Sequence, residues 1–184
     1  MSYENLWAPW RLGYIQSDKR VDDAPRAVPV WLPGADENCF LCLDSASPAD
    51  DRRNYVPWRG THTLVVLNRY PYNNGHVLVA PQRHLAHLDQ LDDATHVEAM
   101  HVLGRLTRVM EKRMRAEGFN IGLNLGRTAG AGVPGHLHWH LVPRWVGDVN
   151  YMPVTAATSV ISQPLEALFD LLREGLAEDG HDRG

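Results

Sequence analysis

Three histidines alternate with apolar residues in Gly135-His136-Leu137-His138-Trp139-His140-Leu141-Val142-Pro143-Arg144. Successive side chains of a strand point to opposite faces. His136, His138 and His140 therefore share one face, and Leu137, Trp139 and Leu141 the other. The apolar set can bury against a helix while the imidazoles line the opposite surface. Alternate residues start roughly 7 Å apart, a separation at which one small anionic group reaches two neighbouring rings. Three chemistries are open to such a row. The histidines can be incidental on a polar sheet face, although strict alternation of three beside a glycine-rich stretch argues against chance. They can hold a catalytic metal ion, as strand His-x-His pairs do, but no nearby carboxylate completes the set. Or a neutral imidazole can attack the phosphorus of a phosphoanhydride while its neighbour stabilises the developing charge. We adopt the third.

Two further groups of residues carry chemistry. The link Gly126-Arg127-Thr128-Ala129-Gly130-Ala131-Gly132-Val133-Pro134-Gly135 suits phosphate handling. Glycines such as Gly130 and Gly132 let backbone N–H groups approach an anion, and Arg127 or Thr128 can add donors. Cys39-Phe40-Leu41-Cys42 is a lone C-x-x-C, open to a redox pair, half of a zinc site or chance.

The elements that must position these residues follow from periodicity. Thr61–Asn68 and His76–Ala80 are β-rich runs joined through Pro71, Asn73, Asn74 and Gly75, a hairpin pattern. Asp92 or Asp93 caps a long helix ending near Gly118, with Val97, Met100, Leu103, Leu106, Val109 and Met110 at helical spacing. Asn120–Leu125 and His136–Val142 form two more strands, and Pro164–Leu176 a final amphipathic helix. Polar Ser45–Asn54, with Pro48, reads as a loop. Strands joined by hairpin-like links, with helices segregated, predict an α+β fold with an antiparallel sheet. Residues 1–35 form an arm rich in proline and tryptophan (Trp7, Trp10, Trp31), whose aromatics need a surface to cover. Residues 36–150 form the domain, and residues 151–184 a C-terminal extension with a helix.

The chain has 184 residues, 44% hydrophobic and 22% charged, the composition of a globular domain rather than a disordered one. Its net charge of −4 argues against a footprint for duplex nucleic acid. Its apolar runs are too short to span a bilayer, and the N-terminus lacks the features of a signal peptide. A cytoplasmic location is the default expectation.

His136-Leu137-His138-Trp139-His140-Leu141-Val142 resembles the signature of the histidine-triad (HIT) superfamily, His-φ-His-φ-His-φ-φ with φ apolar. Leu67–Pro81 is similar to the family's upstream strand–turn–strand, and Pro143-Arg144 stands where the family has it. Leu6–Arg11 (LWAPWR) and Val142–Tyr151 resemble the branch of bacterial diadenosine tetraphosphate phosphorylases. The resemblance implies a HIT-like fold in which the middle histidine, His138, is the nucleophile and His140 contacts the phosphate or bridging oxygen. It places a ribose-binding side chain at Asn68, a phosphate contact at Asn124 and a supporting role at His76. It also implies zinc: His84 matches a ligand position of zinc-containing members, whose fourth ligand is the first triad histidine, here His136. With Cys39 and Cys42 that makes a closed set, which favours a structural ion. Many members carry Gln or Ser shortly before the first histidine, whereas Gly132 stands there here, with one residue inserted upstream. The implied substrate is a dinucleoside polyphosphate or other nucleotide conjugate, cleaved by phosphate or by water in a homodimer whose sheets join. The alternatives are a nucleotidyltransferase acting on sugar phosphates and a nucleotide-binding regulator with little turnover.

Overall fold

The computed structural model describes residues 26–148 and 161–181. The expectations for Trp7, Trp10, Leu6–Arg11 and residues 149–160 lie outside them. The described elements are α1 (Phe40–Ala46), α2 (Asp51–Asn54), β1 (Trp58–Arg59), β2 (Thr63–Leu67), β3 (Val77–Pro81), α3 (Asp93–Met114), β4 (Gly118–Leu123), β5 (Trp139–Arg144) and α4 (Leu165–His181). The five strands form one antiparallel sheet in the order β1-β2-β3-β5-β4. The histidine-bearing strand is therefore interior, paired to β3 and to β4. The fold is α+β, as the pattern of runs predicts.

Alternation divides the sheet into two buried faces. Val65, Leu67, Val77, Val79, Trp139 and Leu141 pack with Ala99, Val102, Leu103, Leu106 and Met110 of α3 and with Leu168, Phe169 and Leu172 of α4. Leu64, Val66, Leu78 and Ala80 face the other way, onto Cys39, Leu41 and Cys42, with Trp31 and Val133 against them. The surface that Trp31 needs is thus this second face. Leu137 joins the helix-side core, so the apolar half of the triad segment is buried as its alternation requires.

Several boundaries differ from the reading of the sequence. The 45–54 stretch is largely helical: α1 runs to Ala46, a 3-10 turn covers Pro48–Asp50 and α2 follows. Pro48 starts that turn, where its fixed φ and missing N–H cost nothing. Asp92, not Asp93, caps α3, accepting from Thr95 N at 2.8 Å and Thr95 Oγ1 at 2.7 Å. The helix stops at Arg115, which takes the left-handed conformation (φ 53°) usually left to glycine. Val97 and Met100 are half exposed while Thr95, Ala99 and Val102 are buried, so the inner stripe is rotated at the start of α3. The triad ladder begins only at Trp139 and extends to Arg144. Its pairing to β3 ends at Leu141, which leaves Pro143 on a stretch where a missing N–H is tolerated. The last helix continues past Leu176 to His181.

Candidate active site and metal-binding cluster

The start of α1, the segment after β3 and the entry to β5 converge on the second face of the sheet. There Cys39, Cys42, His84 and His136 bring one ligand atom each within 4.8 Å of one another. Cys39 Sγ lies 3.4 Å from His136 Nδ1, and Cys42 Sγ lies 3.2 Å from His84 Nδ1 and 3.5 Å from His136 Nδ1. A tetrahedral ion with thiolate and imidazole ligands has S···N edges of about 3.5 Å, which these three spacings match. His136 Nε2–H donates to the Pro81 carbonyl at 2.8 Å, which turns the Nδ1 lone pair toward the sulfurs. This is the outer bond that orients a ligating histidine. Burial pushes the Cys39 thiol up to about 11 and His136 down to about 4. A neutral imidazole suits a ligand as it stands, but a thiolate in this setting needs a cation beside it. Gly135 leaves room for the cluster, since a Cβ there would lie 3.0 Å from His84 Nε2.

The same segment builds the second group of imidazoles. His138 is buried, and its Nδ1–H donates to the His136 carbonyl at 2.8 Å. That bond leaves the lone pair on Nε2. His140 lies alongside, ring centroids 5.0 Å apart, and its Nδ1 is 2.9 Å from His76 Nε2. The protons along this chain can be assigned. The Tyr72 N–H, only a donor, lies 3.1 Å from His76 Nδ1, so Nδ1 accepts. Burial, then the neighbouring His140 and His138, hold His76 down at about 4, so it is neutral and carries its proton on Nε2. His76 therefore donates to His140 Nδ1, and His140, also lowered by burial, carries its proton on Nε2. That Nε2 is buried and has no partner among the described residues. A buried donor of this kind is what a developing negative charge requires.

Asn68, at the end of β2, is brought to the same place: its Nδ2 lies 3.3 Å from His76 Nδ1 and its Oδ1 accepts from Tyr70 N at 2.9 Å. Asn124 follows Leu123, the residue paired with Trp139, on the other flank of β5. The glycine-rich link makes a 3-10 turn at Arg127–Ala129. The Gly130 N–H donates to the Arg127 carbonyl at 3.0 Å and closes the turn. A Cβ on Gly132 would meet nothing within 4 Å. The contributions of Pro81 and Tyr72 escaped the sequence reading because both act through backbone atoms, which no residue type announces.

Fold and site together define a class: an antiparallel α+β domain presenting coupled imidazoles on one sheet face, next to a separate Cys2His2 cluster. Residues 58–146 match the model of the HIT domain. The chain is 36% identical over 162 residues to an AP-4-A phosphorylase of Mycobacterium tuberculosis, covering 88% of this chain and 78% of that one. It is 37% identical over 95 residues to a bis(5'-nucleosyl)-tetraphosphatase (asymmetrical) of Schizosaccharomyces pombe, 52% of each chain. Among solved structures, a zinc-bound histidine triad family protein from Mycobacterium smegmatis superimposes with a TM-score of 0.64 at 26% identity, covering 79% of this chain and 98% of that one. This chain belongs to the histidine-triad (HIT) family.

Proposed function

We propose that this protein is an enzyme that cleaves dinucleoside polyphosphates through a nucleotidyl group carried on His138. One observation carries the reading: the His138 ring is fixed by the His136 carbonyl with its lone pair on Nε2, beside a buried His140 Nε2–H that has no partner among the described residues. In the first step the His138 Nε2 lone pair forms a bond to the α-phosphorus. The bond from phosphorus to the bridging oxygen breaks, and the leaving nucleotide keeps that electron pair. His140 Nε2–H stabilises the charge that develops on the phosphoryl or bridging oxygen, while Nδ1–H of His138 stays on the His136 carbonyl. In the second step an oxygen of inorganic phosphate attacks the phosphorus, the N–P bond breaks and its electrons return to Nε2. Asn68 and Asn124, on the two flanks, take the ribose and the phosphates. The names of the relatives from Mycobacterium and Schizosaccharomyces support the substrate class, and the former supports phosphorolysis over hydrolysis.

Zinc is the ion this reading places among Cys39, Cys42, His84 and His136. When bound it supplies a cross-link rather than chemistry, because all four positions are filled by protein. Cys39→Ser with Cys42→Ser and metal analysis test that assignment. The HIT domain is taken as residues 36–150, flanked by the arm and the C-terminal extension. A homodimer is supported by the edge position of β4 and the half-exposed Ile121 on it. No described helix is long and apolar enough to cross a membrane.

The test of the second step uses diadenosine tetraphosphate with labelled inorganic phosphate. Label is expected in a nucleoside diphosphate product. Solvent oxygen in AMP, with no incorporation from phosphate, makes the protein a hydrolase instead.

A further inference from the structure

Asp148 stands outside the row of imidazoles, on the turn that follows β5, yet donors from both sides of the hairpin converge on it. Arg144 Nε and Nη2 reach its carboxylate at 2.6 and 2.9 Å, the Trp145 N–H at 3.3 Å and Asn73 Nδ2 at 2.7 Å. The Asn73 amide is fully assigned. Its Nδ2 also donates to the Pro143 carbonyl at 3.2 Å, its Oδ1 accepts from Asn74 N at 2.9 Å, and its backbone carbonyl accepts from His76 N at 3.2 Å. On the same turn Gly75 takes φ +80°, and a Cβ there would lie 2.7 Å from Pro143 Cγ. The turn is therefore pressed against β5 and tied to it through one side chain. The residue before Asn73 is Tyr72, whose N–H caps His76 Nδ1 at 3.1 Å.

We propose that Asp148 is a positioning residue for the site: by holding Asn73 it keeps the Tyr72 N–H on His76 Nδ1, and so keeps the proton of His140 on Nε2. The chain of consequence has three bonds. Without the Tyr72 donor, the remaining contact is Asn68 Nδ2, 3.3 Å from His76 Nδ1 and 3.4 Å from Nε2, which favours neither nitrogen, so His76 can carry its proton on Nδ1. Its Nε2 then accepts from His140 Nδ1–H, and His140 Nε2 presents a lone pair. An anionic phosphate meets a lone pair where it had met a donor. A carboxylate suits the post because Asn73 Nδ2, the Trp145 N–H and the Arg144 guanidinium can only donate, and three donors meeting at one point need an acceptor with several lone pairs. The functional part of the inference rests on the reading of His140 as the phosphate-facing donor; the proton assignment itself does not.

The experiment is long-range proton–nitrogen NMR of the full chain labelled with ¹⁵N-histidine, recorded without substrate. In the unaltered protein His76 and His140 should both show the Nε2–H pattern. Asp148→Ala should move both toward a tautomer average, and lower kcat for diadenosine tetraphosphate by about tenfold, less than full removal of a stabilising donor, with KM little changed. Asn73→Ala, which cuts the same path without disturbing Arg144, should do likewise and serves if Asp148→Ala fails to fold. Asp179→Asn, which weakens the remote pairs with Arg105 and Arg108 on α3, should lower Tm without moving either ring. Unchanged ring signals in both Asp148→Ala and Asn73→Ala overturn the proposal, as does an equal shift in Asp179→Asn. Wild-type turnover in His138→Ala, with the ring signals behaving as described, overturns the proposed reaction and leaves the positioning role intact.

Discussion

Two groups of imidazoles share one face of one sheet, and they use their ring nitrogens in opposite senses. In the cluster, His136 gives Nε2–H to the Pro81 carbonyl and turns Nδ1 to the sulfurs. In the neighbouring group, His138 gives Nδ1–H to the His136 carbonyl, and Nε2 is the nitrogen to which the proposed reaction assigns the attack. The two rings are two residues apart, so neither sequence distance nor residue type separates the proposed ligand from the proposed nucleophile. What separates them is which backbone carbonyl lies within reach of which nitrogen. His136 belongs to both groups, its side chain serving one and its carbonyl the other. An ion that fixes the ring also fixes the acceptor that sets the proton on His138.

Removing the ring at the reactive end should have the largest effect. His138→Ala is expected to lower turnover more than the roughly 10²–10³ typical of losing a stabilising donor, while nucleotide binding by calorimetry stays near normal. Mass spectrometry of the trapped wild-type intermediate should place the nucleotidyl group on His138; an adduct on another histidine reassigns the role. At the cluster end the effect should fall on the fold. Cys39 and His136 are 97 residues apart, and releasing a cross-link over that distance costs about 4–5 kcal/mol, a fall in Tm of roughly 8–20 °C for a chain this size. Zinc content and Tm of the double serine variant should drop together. A normally folded and active enzyme carrying much less than one zinc per chain removes the cross-link from the account.

Acid should sharpen the comparison further. His76 sits at about 4 when folded against about 6.5 when unfolded, so the unfolded chain binds the extra proton between those values. The stability that depends on neutral His76 is complete above pH 6.5 and is lost as pH falls toward 4, by about 3 kcal/mol at most. Asp44 is pushed the other way, to about 7, chiefly by burial, so the whole-protein slope mixes both signs. The informative quantity is the difference between wild type and His76→Gln in urea unfolding from pH 7 to 4.5: the variant should show the flatter loss, and parallel curves remove His76 from the balance. The smallest effect separates two glycines of one loop. Gly135→Ala forces its Cβ toward His84 and should cost about 1 kcal/mol with weaker zinc retention under a chelator. Gly132→Ala, facing open space, should stay within about 0.5 kcal/mol.

Much of this was legible in the residues themselves. Period-two alternation in 136–141 placed Leu137, Trp139 and Leu141 in the core, and Asn73, Asn74 and Gly75 marked the hairpin turn. The gathering of Cys39, Cys42, His84 and His136 was legible only through resemblance, because three separate chain segments supply it and no local pattern links them. A glycine signals backbone freedom without saying where its N–H points, and at Gly130 that N–H closes a turn onto Arg127. Arg115 misled, since a non-glycine residue takes the left-handed position that ends α3. The proton positions were out of reach altogether, being set by the Pro81 and His136 carbonyls and the Tyr72 amide.

The order in which the four cluster residues occur along the chain has its own consequence during synthesis. Cys39, Cys42 and His84 leave the ribosome long before His136, and β1, β2 and β3 can form a meander while β5 is still being made. Through that interval an ion would meet two thiols and one imidazole on an incomplete sheet, with its fourth position open to solvent. Arrival of His136 would close the ion's coordination and start β5 into its slot beside β3 in one event, and the same arrival delivers the carbonyl that orients the ring two residues later. Metal capture, insertion of the interior strand and orientation of the proposed nucleophile would then be successive readings of a single residue emerging from the tunnel.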